Sequence, residues 1–447
     1  MIRASLALLG AAAMSVGAVA TSRTLEPAIP VLAYGVAIVA VLVAAFQPVT
    51  VAGAASMLAY RTGLAALAVA AVVAVLDRPQ LITSATVAPD DVLAGVVVVT
   101  AAAVAVRSPR SPRLRALVCG LVLATFTLSG AFLIHAKPYH SDAVVATHGA
   151  AELVMAGRHP YAEFDMSTQL VRFGLHPDWA TDLEDGSSLA TFNYPVLAAL
   201  VPVPALALGI TDIRILYLAE VLALIALVAM SATEPWRAFA VAAAVGSVAI
   251  MRQFVAAGVD PTWALLVLVA WLARERSWSA VVLGLALAAR QTAWVVTPFV
   301  LAWAWHRHGS REALKRGAIA GAVALAVHVP FLLGDPGAVL GGVTDIVLQP
   351  LVPGGVGPST VFGSAISRGI YLVSAAAFLA TLATLWWRSL ARRDLGRAAL
   401  VVPFAPLYLA SRALQSYFAL LPLFLFVEEG RAKEGPAEHD LTRERDG

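Results

Sequence analysis

Long apolar runs, broken by short polar punctuation, fill residues 4–427, and each run is continuous rather than alternating. A bilayer core of about 30 Å is crossed by roughly 20 apolar residues wound as helix, which is the length at which these runs recur. They are rich in Ala, Leu and Val and lack the short alternating blocks of an outer-membrane barrel. Membrane helices are therefore predicted near residues 4–21, 28–46, 62–76, 91–106 and 114–134, with the remainder between 194 and 427 and about a dozen in all. The first run follows a single arginine and further spans come close behind it, so it reads as a retained span rather than a cleaved signal peptide. Residues 194–209 differ: Pro195, Pro202 and Pro204 break the helix, and the stretch is expected to be re-entrant or to lie along the interface. The runs at 279–289 and 291–305 are short and are expected to form half-depth helices around Arg290.

Composition agrees with a lipid environment. Of 447 residues, 60% are hydrophobic and 13% charged, with a mean hydropathy of +0.81, outside the range of a soluble globular domain. The net charge of +3 is small, and Lys and Arg sit in short loops, so no nucleic-acid partner is implied. The single cysteine, Cys119, permits no intrachain disulfide and no cysteine-based metal site. Arg107, Arg110, Arg113 and Arg115 follow a loop holding Asp77, Asp90 and Asp91, and positive charge stays cytoplasmic, which puts the amino terminus inside. Arg274, Arg276 and the basic stretches 306–316 and 388–397 are expected on the same side, as is the carboxyl terminus. The expected fold is an all-α polytopic membrane bundle. Accessory helices occupy 1–112, the main membrane domain 113–427, and a charged, disordered tail 428–447.

One outer loop, residues 136–193, concentrates the polar chemistry. It holds Asp142, Glu152, Glu163, Asp165, Asp178, Asp182, Glu184 and Asp185, with His140, His148, His159 and His176. Residues 141–156 read as a short amphipathic helix on the membrane surface, with a serine-aspartate start. Asp142 falls in its first turn, where the helix dipole favours an ionised carboxylate. That position suits an ordinary helix cap as well as a proton acceptor. His148 and Glu152 lie one turn apart and, with His140 and Asp142, raise a metal site, yet no zinc motif is matched. Trp271, Trp278, Trp386 and Trp387 are expected in interfacial belts. The segment 334–363, rich in Gly and Pro and containing Asp335 and Asp345, reads either as a lid or as a plain connector.

The turn GRHPY at 157–161 and the return NYPVLAALVPVP at 193–204 complete a recognisable order. A span, an acid just outside it, a surface helix, a G-x-x-P-Y turn, a variable loop and a Tyr-Pro return resemble polyprenyl-phosphate-sugar-dependent glycosyltransferases of the C-type (GT-C) superfamily. The branch containing actinobacterial α-mannosyltransferases is the most similar. GVDPTWALLVLVAW with Asp260 and LGLALAARQTAWVVTPF with Arg290 resemble that branch's outer Asp, short loop and Gly-rich helix ending in a basic residue. That residue is lysine in many relatives and arginine here. The resemblance covers roughly residues 114–427.

What the resemblance implies is inverting transfer of a sugar, mannose or another hexose or pentose, from a polyprenyl-phosphate donor. The acceptor is a cell-envelope glycolipid or polysaccharide on the outer face. Asp142 would be the general base and Arg290, Arg412 and Arg252 the donor-phosphate ligands. All three arginines fall at predicted outer helix ends, where basic residues are scarce. Arg252 is equally suited to pairing with Asp260. His140, His159, Tyr161, Tyr194, Asp260, Gln415 and Tyr417 are the substrate-binding candidates. Asp142 is a lone acid rather than one of an adjacent pair, unlike the metal-dependent members, so neither a metal nor a cofactor is expected. Two other classes fit the same composition: a transporter or flippase of lipid-linked sugars, and a membrane scaffold without activity.

Overall fold

The structure is a computed structural model that describes residues 9–10, 13–14, 28–46, 112–136, 138–232, 236–245, 247–362, 376, 380, 398–410 and 412–427. The predicted spans at 62–76 and 91–106, most of 4–21, Arg107, Arg110, the stretch 388–397, Trp386, Trp387 and the tail lie outside the described residues.

The described residues are mostly helical. Helices α1 (Ala28–Phe46) and α2 (Pro112–Ala136) coincide with two predicted spans. The polar loop then forms α3 (Asp142–Met155) and α4 (Met166–Arg172). The stretch expected to be broken by prolines is broken: Leu197–Leu200 and Val203–Ala207 are two short turns, closed by Gly209 at a φ of 85°. Pro202 and Pro204 withhold the N–H groups a continuous helix needs. Next come α5 (Arg214–Ser231), α6 (Trp236–Val245), a π-helical turn at Met251–Ala256, and α7 (Thr262–Leu272). Helices α8 (Ser279–Ala289) and α9 (Thr292–His308) are separated at Arg290, as the short apolar runs suggest. Helices α10 (Ser310–Leu332) and α11 (Pro336–Leu348) follow, and short helical turns cover 398–409 and 415–424.

Among the described residues two helices, α5 and α10, are long and apolar enough to cross a membrane. Their settings differ, because α5 is packed into the interior while α10 turns Leu314 and Leu325, 68% and 57% exposed, outward. The main core joins α1, α2, α5, α7, α8 and α9 through Tyr34, Phe126, Leu224, Trp263, Leu283 and Phe299. Helix α1 contributes Tyr34, Ala37, Ile38 and Val41 to this core. Trp271 is fully buried beside Trp303 and does not stand in an interfacial belt, whereas Trp278 is half exposed.

A second core lies under the polar loop, built from Val144, Leu153, Tyr161, Leu170, Phe192 and Val196. It corrects one expectation. Residues 143–151 of α3 are all buried, so α3 is an enclosed helix rather than an amphipathic one lying on a surface. Helix α4 and the short turns after Tyr194 pack on it. The strictly all-α expectation also meets a small exception. Gly354–Gly355 pairs in parallel with Arg412–Ala413, and Leu351 bridges to Leu183. Gly355 has a φ of 95°, and a Cβ there would strike the main chain of Ala413, so this crossing needs glycine.

Candidate functional site

The segment that carries Asp142 is anchored from below by a residue that sequence reasoning passed over. Arg214, 1% exposed, begins α5. Its guanidinium donates to Ile134 O (2.9 Å), Pro138 O and Ala256 O (both 3.2 Å), and to Asp212 Oδ2 (2.6 Å). It also lies over the Tyr139 ring, 5.0 Å from the centroid. One side chain therefore ties the end of α2, the approach to α3 and the π-helical turn together. Beside it, Ser141 Oγ donates to Ala257 O at 2.6 Å and accepts from Val144 N at 3.3 Å, capping α3. Asp142 is set at the first position of α3 and is half-buried rather than open to solvent. Thr181 Oγ1 donates to its Oδ2 at 3.1 Å.

Arg290 occupies the break between α8 and α9 in an extended conformation (φ −159°, ψ 146°) and is 6% exposed. Gln291 stitches the break to the loop, donating to Asn193 O at 2.8 Å and Val343 O at 3.1 Å. Arg290 Nη1 lies 3.8 Å from Asp260 Oδ2, and its guanidinium stacks over Tyr194 with 4.5 Å to the ring centroid. Among the described residues that guanidinium makes no hydrogen bond, although a buried arginine normally satisfies several of its five N–H groups.

Two phenols, Tyr194 and Tyr417, stand within electrostatic reach of both the acid and the cations. The charges of Asp142 and Arg290 both act on Tyr194, and those of Asp142, Arg290 and Arg412 all act on Tyr417. Arg412 is held there by its ladder with Gly354–Gly355. The same strap is pinned to the polar loop by Glu184 N to Pro350 O (2.8 Å) and Val352 N to Asp182 O (3.0 Å). Segment 334–363 is thus α11 followed, through residue 362, by a strap tying the polar loop to Arg412. Gln415 accepts from Gln253 Nε2 at 2.9 Å. The basic residues Arg274, Arg307 and Arg316 gather at the opposite ends of α8, α9 and α10.

Several expected substrate ligands have other occupations. His159 Nε2 bonds Phe331 O (3.0 Å), while Nδ1 accepts from Tyr161 N (3.3 Å) and Ala162 N (3.1 Å), which makes this side chain a pin for the GRHPY turn. In that turn the His159 N–H, then Arg158, hold the Glu163 carboxyl below the usual carboxylate range. Tyr161 is 3% exposed and donates to Tyr194 O at 2.8 Å, a strut that sets the Tyr194 main chain. Asp260 pairs with Arg290 rather than with Arg252, whose charge acts on Tyr34. His140 is exposed, its ring 5.4 Å from that of Trp179. His148 bonds Tyr139 Oη through Nδ1 at 2.8 Å, away from His140. Among the described residues no three His, Cys, Asp or Glu side chains are grouped to hold a metal ion.

Besides Arg214, sequence reasoning missed Thr181 and Glu220. An acid within the apolar run LYLAEVLALI was the signal for Glu220. Comparison with protein-family models, with curated proteins and with solved structures returns no match.

Proposed function

We propose that this chain is a polytopic membrane glycosyltransferase that takes a sugar from a polyprenyl-phosphate donor on the outer face of the cell membrane. Support for a membrane setting comes from α5 and α10 and from the apolar faces left exposed on α1 and α10, including Leu32, Val36, Val39 and Leu325. The observation that supports the chemistry is that two unlike groups, Asp142 and Arg290, both lie within electrostatic reach of the same phenols. Arg290 is a buried cation whose guanidinium has no hydrogen bond among the described residues, and Asp142 is a half-buried carboxylate acting on the same two tyrosines.

In this reading Asp142 accepts the proton of an acceptor hydroxyl as its oxygen attacks the anomeric carbon. The bond from that carbon to the phosphate oxygen breaks, and the electron pair leaves with the lipid phosphate. Arg290, assisted by Arg412, neutralises the charge that develops there, a task suited to a planar, permanently charged fork. One-step displacement inverts the anomeric configuration. The acceptor is a glycolipid or polysaccharide of the cell envelope.

The test supplies the purified protein with radiolabelled polyprenyl-phosphate sugars and a cell-envelope lipid extract. A labelled product is expected from wild type and none from Asp142→Asn of unchanged fold. Normal turnover by that variant rules out Asp142 as base. A transporter or flippase of lipid-linked sugars is the second reading, favoured by the buried acid Glu220 on a helix long enough to span. It predicts movement of the labelled donor across proteoliposomes with no new product.

A further inference from the structure

The interior holds an acid, linked through Thr262 to Asp260, the partner of Arg290, that sugar transfer does not use. Glu220 lies on the second turn of α5 and is 8% exposed. Both of its carboxyl oxygens sit 2.9 Å from Thr262 Oγ1. A hydroxyl has one proton to give, so an ionised carboxylate here shares that proton between its two oxygens in a single three-centre bond. A carboxylic acid satisfies the same geometry with two bonds, accepting from Thr262 and donating back to it. The neighbouring acid uses the same threonine: Asp260 Oδ1 accepts from Thr262 N at 2.8 Å. Asp260 Oδ2 is buried without a hydrogen-bond partner and faces Arg290 Nη1 at 3.8 Å.

Charge counting points the same way. If both acids were ionised, two negative charges would share one cation inside a low-dielectric interior, where an uncompensated charge is disfavoured strongly. The surroundings of Glu220 offer no second cation among the described residues. The loop before α7 and α7 itself present Asp260 and Thr262, and α5 presents Tyr217 one turn away. From the π-helical turn, Arg252 acts on Tyr34. Arg237 of α6 donates to Ala229 O near the far end of α5. Helix α2 brings Cys119 and the exposed His135.

We infer that Glu220, linked through Thr262 to Asp260, the ion-pair partner of Arg290, is a proton-binding site loaded at neutral pH, and that loss of its proton weakens anion binding at Arg290. The coupling rests on the anion-binding role given to Arg290 above. While Glu220 is protonated, Arg290 faces one carboxylate and keeps N–H groups to offer. Once Glu220 ionises, a second negative charge within the same cluster opposes any phosphate that approaches.

The probe is farnesyl methyl phosphate, a diester whose single negative charge does not change over the range used. Binding to the full-length protein in detergent is followed by tryptophan fluorescence from about pH 6 to about pH 9. Wild type is expected to lose roughly tenfold in affinity across that range, the size of one added charge acting through the protein interior. E220Q, which copies the protonated acid, is expected to keep the high affinity at every pH. Infrared difference spectra of the ligand-free protein in light and heavy water should show the carbonyl band of a protonated carboxyl group, absent from E220Q. The wild-type pH profile and band stand without the variant if E220Q fails to fold. A flat wild-type profile with normal binding overturns the inference and leaves the Arg290 pocket standing. A missing band overturns it as well. Absence of probe binding at every pH overturns the pocket, and the coupling with it.

Discussion

Replacing Arg214 with methionine removes the side chain that fastens three chain segments beneath the site. The guanidinium is 1% exposed and donates to three main-chain carbonyls, of Ile134, Pro138 and Ala256, as well as to Asp212. Methionine fills similar apolar volume but donates nothing. Each carbonyl stranded out of reach of water costs about 1 to 3 kcal/mol. Asp212 keeps a quarter of its side chain exposed, so solvent recovers part of the lost ion pair. Some carbonyls will also find water as the segments relax. The expected net loss is about 3 to 5 kcal/mol, the range seen when one partner of a buried pair is deleted. Asp212→Asn should cost less, about 1 to 2 kcal/mol, because the carbonyl bonds to Arg214 survive. The double variant should cost less than the sum of the two single losses. Unfolding in mixed micelles of rising dodecyl sulfate content, followed by circular dichroism, measures all three. A loss below about 1 kcal/mol for Arg214→Met would mean that the residue behaves as a surface ion pair, and the keystone argument would fail.

Three further outcomes are expected. Gly355→Ala puts a Cβ against Ala413 at a φ of 95°, which should cost about 1 to 3 kcal/mol and loosen Arg412; the same micelle titration reads the first effect and weaker farnesyl methyl phosphate binding the second. Burial lowers the pKa of His148 below its ordinary 6.5, outweighing the opposite pull of Glu152, so the unfolded chain takes up that proton first. Stability contributed by neutral His148 is then present above about pH 6.5 and falls as pH drops toward the folded value; His148→Gln should flatten the unfolding midpoint between about pH 7.5 and about pH 5.5, and an equally steep fall in the variant would reject the assignment. Thr181→Val removes the hydroxyl that donates to Asp142 and should slow sugar transfer by roughly tenfold while Thr181→Ser stays near wild type, because the effect runs through one hydrogen bond to the base.

Features that depend on local chain chemistry were legible in the sequence. The helix break at Arg290, the proline-broken stretch after Tyr194 and the serine cap of α3 follow from short apolar runs, missing N–H groups and a side-chain acceptor at the right offset. Features that depend on what packs on what were not. The burial of α3 on most of its faces is set by α4 and by the turns after Tyr194, which approach it from elements that its own periodicity does not contain. His159 and Tyr161 read as ligands because polar groups in a loop turn are free to bind; the structure commits them to Phe331 and Tyr194 instead. The choice of Arg290 over Arg252 as the partner of Asp260 is likewise a matter of three-dimensional approach, since Arg252 is the nearer of the two in sequence. Arg214 escaped notice because a charged residue at a helix start looks like ordinary solvated punctuation.

Arginine rather than lysine at position 290 has a physical reason in this setting. The guanidinium does two things at once: its face stacks on Tyr194 at 4.5 Å, and one edge turns toward Asp260 at 3.8 Å. Both contacts can be kept while the remaining N–H groups stay available, because the fork is planar and its donors point in fixed directions. A lysine ammonium is a single point with rotating donors; stacked on the phenol it would meet Asp260 head-on and have less to offer a third group. Arg290 also keeps its charge in an interior position where an ammonium is prone to lose its proton. Its Asp260 partner makes the buried cation tolerable without consuming it, since the ion pair is longer than a hydrogen bond. In the proposed reading an incoming phosphate competes with a weak contact rather than a closed one, and that inequality is what would let a buried cation serve as a binding site.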